Sequence, residues 1–343
     1  MPEKYRKRSG NNVTKFTEYD SVDALGELYP LVGNETKNRT YLLKHKISLK
    51  NSLFDTAPDS SSQTQKSNKA FWHLNQIFCA EFIRMVAPVC IPKHRFFFSP
   101  ENKPMTGSVF MDKFETWNSC YRYSPETNQA TLYEHPIDEQ GCVIKDGKRK
   151  PIFGLGVCGT LRYLLGLWDF GSSNFGIIEC DDYYLCVLID LEGCLSKLSY
   201  SGHSAEYNVL KILNTIKDVT NYQERLKIPF KFTDLRSVFL SYIFTLYQRE
   251  EAFLLSPDLI NTDYIKEEVS YTLMHLINFL QPPHAQKLEA LAAHWFHGFP
   301  LERSAILQEL KARIETFVFL GRHGRYMTPR LAPHPFIKKL FDL

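Results

Sequence analysis

The stretch "LWDFGSSNFGIIECDDYYLCVLIDLEG", residues 167–193, decides how this chain is read. After Asn174 the arm "FGIIE" runs to a turn, "CDDY", and the arm "YLCVLID" runs back. With residues 180–183 as a four-residue loop, Glu179 faces Tyr184 and Asn174 faces Ile189. That antiparallel register takes the chain out and back by roughly 17 Å, at about 3.3 Å per residue, and returns Asp190 to the side of Asn174. Both arms are apolar, so the hairpin is expected to be buried. One side-chain amide and one carboxylate at the end of a hairpin are hard oxygen donors of the kind Mg²⁺ takes. Asp169, five residues before Asn174, is expected to face the same spot.

The rest of the chain sets bounds. It has 343 residues, 44% hydrophobic and 14% aromatic, enough for one large or two modest folded units. A formal charge of +3 is too near neutral to announce a nucleic-acid binder, and none is expected. Eight cysteines without a C-x-x-C pair, mostly inside apolar runs such as "IFCAEF", read as buried thiols of a reducing, cytoplasmic-type compartment. No window approaches the roughly 18 apolar residues of a membrane span. The basic start "MPEKYRKRSGNN" has no apolar stretch behind it, so no signal peptide is expected.

Residues 1–20 read as a flexible basic tail, and 21–116 as short strands around one helix. "RTYLLKHKI" (39–47) reads as a strand, and "APDSSSQTQKSN" (57–68) as a serine-rich loop. Phe71, Leu74, Phe78 and Phe82 predict a helix from Lys69 to about Val86, closed by Pro88 and Pro92. "HRFFFS" and "GSVFMDKF" read as strands. Residues 117–153 read as a hinge and insertion, with a hairpin at "IKDGKRK". From 154 to 320 helices dominate, four of them in "SAEYNVLKILNTI", "DLRSVFLSYIFTLY", "YIKEEVSYTLMHLINFL" and "SAILQELKARIETFVFL", the last ending at Gly321. Residues 321–343 form a basic tail. The fold class is therefore α+β, a small β-rich lobe with one key helix followed by a larger, mostly helical lobe.

"GLGVCG" (154–159) matches G-x-G-x-x-G ahead of a helix, but only "PIF" precedes it. A strand too short for a βαβ unit argues for a glycine-permitted helix start rather than a dinucleotide fingerprint. The two histidines of "HWFH" (294–297) lack a third ligand nearby, so packing or exposure is expected rather than zinc.

Asp-x-x-x-x-Asn at 169–174, a hairpin, then Ile-Asp-x-x-Gly at 189–193 resembles the catalytic core of the protein-kinase superfamily. The resemblance extends backward to "YLLK", ending at Lys44, and to Glu81 in the following helix. It is closest to atypical members, HipA-type and phosphatidylinositol-kinase-like, and to remote effector kinases of intracellular pathogens such as Legionella. It implies a bilobal fold that transfers the γ-phosphoryl group of ATP with Mg²⁺ or Mn²⁺. In that scheme Lys44 orients the α- and β-phosphates and Glu81 fixes Lys44. Asn174 and Asp190 hold the metal, and Asp169 takes the acceptor hydroxyl's proton, so that "DFG" at 169–171 is a decoy. A protein Ser/Thr acceptor, from a eukaryotic host, is the favoured substrate. A lipid or inositol kinase, an AMP-transferring enzyme and a pseudokinase scaffold stay open.

Read alone, these positions have plainer uses. Lys46 shares the strand face of Lys44, Glu81 has Arg84 three residues on as a partner, and Asp169 and Asn174 suit turns. The chain also departs from the family. No glycine-rich loop precedes Lys44, Trp168 stands in place of the usual arginine, and Leu191-Glu192 follow Asp190. The stretch 321–341 has no acid and five Lys/Arg, with Phe336 and Leu340 as apolar anchors. With "KDGKRK" and "KYRKR" it is expected to meet inositol hexakisphosphate or a phosphoinositide membrane, in the host cytosol or at a host membrane surface.

Overall fold

The structure is a computed structural model and describes residues 5–9, 12–19, 31–34, 39–44, 62–99, 101, 103–109, 111, 113–166, 174–191, 194–195, 255–323 and 334–341. Among them, six strands close into a barrel: β1 (Tyr5–Ser9), β2 (Asn12–Tyr19), β3 (Leu31–Asn34), β4 (Arg39–Lys44), β5 (His94–Phe98) and β6 (Pro104–Val109). Their order is β1-β2-β3-β4-β6-β5, every pair antiparallel, and β1 closes the ring by pairing Arg6 with Phe98 on β5. The expectation of a flexible tail over 1–20 is corrected here. The polar runs of β1 and β2 have no apolar period to mark them, yet barrel closure gives their backbones partners and removes the sheet edge. Tyr41, Leu43, Phe97 and Met105 fill the barrel's own small core.

Helix α1 (Ser62–Val86) lies against β5 and β6. It starts seven residues before Lys69, within the stretch read as a loop, because "SQTQKSN" carries no apolar stripe. From Asn75 to Ala80 every residue is buried. A helix buried all round is covered on more than one side. The second cover is aromatic: Phe78 meets Phe296 at 5.3 Å and Phe82 meets Phe279 at 5.3 Å.

Residues 114–153 form a folded unit rather than a plain connector. It holds β7 (Phe114–Thr116), α2 (Trp117–Cys120), β8 (Tyr121–Ser124), β9 (Gln129–Leu132), β10 (His135–Pro136), β11 (Cys142–Lys145) and β12 (Lys148–Phe153). Then come α3 (Leu155–Leu164), β13 (Phe175–Glu179) and β14 (Tyr184–Leu188). A five-stranded sheet has the order β11-β12-β14-β13-β7, with β12 parallel to β14, and β10-β9-β8 make a smaller sheet. Trp117 roots the unit, stacked at 4.5 Å on Tyr121 and 5.2 Å on Phe175. β13 and β14 pair in the predicted register, Glu179 with Tyr184 and Phe175 with Leu188. β14 is buried along its length and β13 through Ile177, because helices and sheet neighbours cover them.

Gly176 allows β7 to approach β13: a Cβ there would collide with the Glu115 carbonyl oxygen. Gly176→Ala is therefore expected to cost about 1–3 kcal/mol, read as a lowered midpoint of thermal unfolding. A midpoint equal to wild type would contradict the strand placement.

The remaining described elements are helical: α4 (Pro257–Ile260), α5 (Asp263–Asn278), α6 (His284–Trp295), α7 (Pro300–His323) and α8 (Pro335–Phe341). The two predicted helices at 204–216 and 234–247 lie outside the described residues. α7 runs past Gly321, the expected stop. Phe336, Ile337, Leu340 and Phe341 are buried, with the Phe336 ring 3.8 Å from that of Tyr183 and 4.3 Å from that of Phe153. The reading of Phe336 and Leu340 as membrane anchors is thereby corrected: aromatic partners on the hairpin and β12 claim Phe336, and Leu340 is buried in the core. One continuous core joins α1, the five-stranded sheet and the C-terminal helices. The fold is mixed α+β.

Candidate functional site

β4 ends at Lys44, opposite Thr106 on β6, and β14 ends just before Asp190. The two meet: Lys44 Nζ stands 2.6 Å from Asp190 Oδ2, across 146 residues of sequence. Both side chains keep about a quarter of their surface, 27% and 23%. The pair sits at an accessible edge and not in the sealed core. Asn174 starts the hairpin's other arm and is 8% exposed. Its carbonyl accepts from the amides of Ile189 (3.2 Å) and Asp190 (3.5 Å), so the backbone holds Asn174 and Asp190 side by side.

Glu81 lies elsewhere in the charge pattern. Its Oε1 takes Arg95 Nη1 of β5 at 3.0 Å, and Arg84, the sequence-level alternative, donates instead to the carbonyls of Pro88 and Ile91. Asp169 and Lys46 lie outside the described residues. Sequence reasoning missed three neighbours. Arg95 was hidden inside the apolar strand "HRFFF". His94, 3% exposed, bonds the Pro92 carbonyl at 2.9 Å. Burial lowers its pKa, partly opposed by that carbonyl and by the charges of Asp190 and Glu81. Arg162 is fully buried in α3, its guanidinium 5.8 Å from the Phe175 ring centroid, one residue from Asn174.

The glycine motif has a different occupant. β12 precedes it as a six-residue strand, so the expectation of too short a strand is corrected. The N-terminus of α3, however, is filled from within the fold. Glu268 of α5, fully buried, takes the amides of Gly154 (2.6 Å) and Gly156 (2.7 Å). The Glu268 carboxyl group thus fills the place at a helix N-terminus where an anion would sit. Gly154, at φ +87°, and Gly156, whose added Cβ would lie 2.7 Å from the Ile265 carbonyl, permit this approach.

The basic surface is largely paired around "KDGKRK". Lys145 and Lys150 both meet Glu179, at 2.7 and 3.0 Å, and Arg149 is bound by Asp138. Lys148, Arg322, Lys338 and Lys339 are exposed, while Arg325 and Arg330 lie outside the described residues. His294 and His297 are exposed, and no group of three His, Cys, Asp or Glu is placed to hold a metal among the described residues. All eight cysteines are free thiols, seven of them buried. No helix among the described residues is long and apolar enough to cross a membrane.

Comparison with family models, curated proteins and solved structures returns no match.

Proposed function

We propose that the chain is an ATP-dependent phosphotransferase of kinase-like, two-lobed design, with a protein Ser/Thr side chain as the favoured acceptor. One observation supports this most: a strand-end lysine and a carboxylate at the end of a buried hairpin, remote in sequence, converge at an accessible edge beside Asn174.

The donor set fits a magnesium ion. Mg²⁺ is held by one or two protein oxygens together with substrate phosphates, and Asp190 and Asn174 offer that number of hard donors on adjacent backbone positions. When bound, the ion neutralises charge on the transferring phosphoryl group. Lys44, released from Asp190, donates to the α- and β-phosphates as a mobile point charge. Asp169 accepts the proton of the acceptor hydroxyl. Glu81, paired with Arg95, ties α1 to β5.

That same pairing favours a second reading. With Glu81 committed to Arg95, the site resembles a nucleotide-binding module that transfers slowly or not at all. A polyanion, inositol hexakisphosphate or a phosphoinositide headgroup, fits as a regulator through exposed cations of the tail and of "KDGKRK", among them Lys148, Arg322, Lys338 and Lys339.

Intact mass spectrometry after incubation with Mg-ATP separates the readings. A gain of phosphate is expected, reduced about 10²- to 10³-fold in rate in Lys44→Ala, the loss typical of one preorganised charge donor. A gain of AMP instead identifies a nucleotidyl transferase. No gain, alone or on added protein and lipid acceptors, would leave only the binding module.

A further inference from the structure

Asn75 lies on α1, six residues before Glu81, and is 1% exposed. Its Nδ2 donates to the main-chain carbonyl of Cys194 at 2.8 Å, reaching across 119 residues of sequence. Its Oδ1 faces the Cys79 thiol at 3.9 Å, which turns the donating end of the amide toward that carbonyl. Cys194 is four residues past Asp190. The Cys194 amide donates to the carbonyl of Leu191, the residue after Asp190, at 3.2 Å. The next amide, Leu195, donates to the Leu165 carbonyl at 2.7 Å, directly after α3. Arg313, fully buried, completes this tie by donating to the Leu164 carbonyl at 3.1 Å.

Asp190 is thus held at two points. Upstream, its amide faces the Asn174 carbonyl; downstream, Leu191 is bonded to Cys194, which Asn75 holds. The side chains of Asn75 and Glu81 stand on one rigid helix, so α1 is the element to which both Asp190 and the Arg95 strand are referred. The amide is suited to this. It is neutral, so it can be buried without a counter-ion, and it offers a donor to a carbonyl that would otherwise lack one in the interior.

We infer that Asn75 is a positioning residue that fixes the Asp190 carboxylate relative to Lys44, an assignment that rests on the phosphotransfer reading of that pair. Without the tether Cys194, and with it Leu191 beside Asp190, can shift, and a displacement of about 1 Å at a reacting site costs on the order of 10²-fold in rate.

The test uses the full chain as Asn75→Leu, which keeps the volume and removes the donor, and as Asn75→Ser, whose hydroxyl is too short to reach. ATP affinity is measured against Mg²⁺ concentration, and turnover against acceptor, in wild type, each variant, Asp190→Ala and the double variant. Asn75→Leu is expected to lower kcat by about 10- to 100-fold with an unchanged KM for the acceptor, and to raise the Mg²⁺ requirement for ATP binding about tenfold. In the Asp190→Ala background it should add nothing, because residues acting through one another do not add. Wild-type Mg²⁺ dependence in Asn75→Leu, or an additive loss in the double variant, overturns the assignment alone. Should Asn75→Leu fail to fold, Asn75→Ser decides by the same readings. Wild type without Mg²⁺-dependent ATP binding overturns the phosphotransfer reading and this assignment together.

Discussion

Asp190→Ala is expected to lower phosphoryl transfer by at least about 10³-fold and to remove the effect of Mg²⁺ on nucleotide affinity. A metal-bound carboxylate contributes several kcal/mol of charge stabilisation to the transition state, and each 1.4 kcal/mol is about tenfold in rate. The fold should survive. Lys44 and Asp190 are each about a quarter exposed, and ion pairs of that kind contribute at most about 1 kcal/mol to stability. Thermal unfolding should therefore stay within a few degrees of wild type while turnover collapses. Turnover at the wild-type level would make Asp190 a counter-ion for Lys44 and return Asp169 to candidacy as the metal ligand.

The largest effect on stability is expected at Glu268. Alanine there leaves the Gly154 and Gly156 amides without acceptors in a sealed interior and opens a cavity beneath α3. Together these should cost about 3–5 kcal/mol, measured by chemical denaturation. The carboxyl group also titrates unusually. Burial pushes its pKa up to about 8, against the pull of the Gly154, Gly156 and Val157 amides, which favour the charged form, and with a further push from Glu267. A carboxyl raised in the folded state binds its proton more tightly there than in the unfolded chain. Its contribution is fully present below the unfolded value, about 4.3, and is lost as pH rises through about 8. Wild type should lose stability relative to Glu268→Gln between about pH 5 and pH 8, the glutamine variant lacking this titration. A flat difference between the two across that range would mean that the group is ionised throughout.

The hairpin was legible because its two arms are apolar, its turn is short and acidic, and a period of two leaves one register that buries both. The strand that carries Lys44 was legible, although its sequence pattern runs on to Ile47 and the described strand ends at Lys44. Glu81 was not. A glutamate flanked by buried residues on its helix can reach any neighbouring strand, and the choice of Arg95 depends on how α1 sits on β5, which no local pattern encodes. Glu268 stands beside Glu267 in "YIKEEVSYTL", where either acid reads as solvent-facing; only the approach of α3 selects the buried one. β1 and β2 read as a tail because charged alternation looks like a solvated segment until a barrel closes around it. Phe336 and Leu340 read as anchors because their neighbours in sequence are basic, whereas their neighbours in space are Tyr183, Phe153 and the core.

The central claim is that Lys44, Asn174 and Asp190 form one nucleotide site that requires a divalent cation. Titration calorimetry of ATP into the full chain, with Mg²⁺ and with the cation chelated, tests it most directly. Binding is expected with Mg²⁺, weakened at least about tenfold without it and weakened likewise in Lys44→Ala, since both changes remove charge that faces the phosphates. No binding under either condition, or binding of equal strength with and without Mg²⁺ that Lys44→Ala leaves unchanged, would contradict the site.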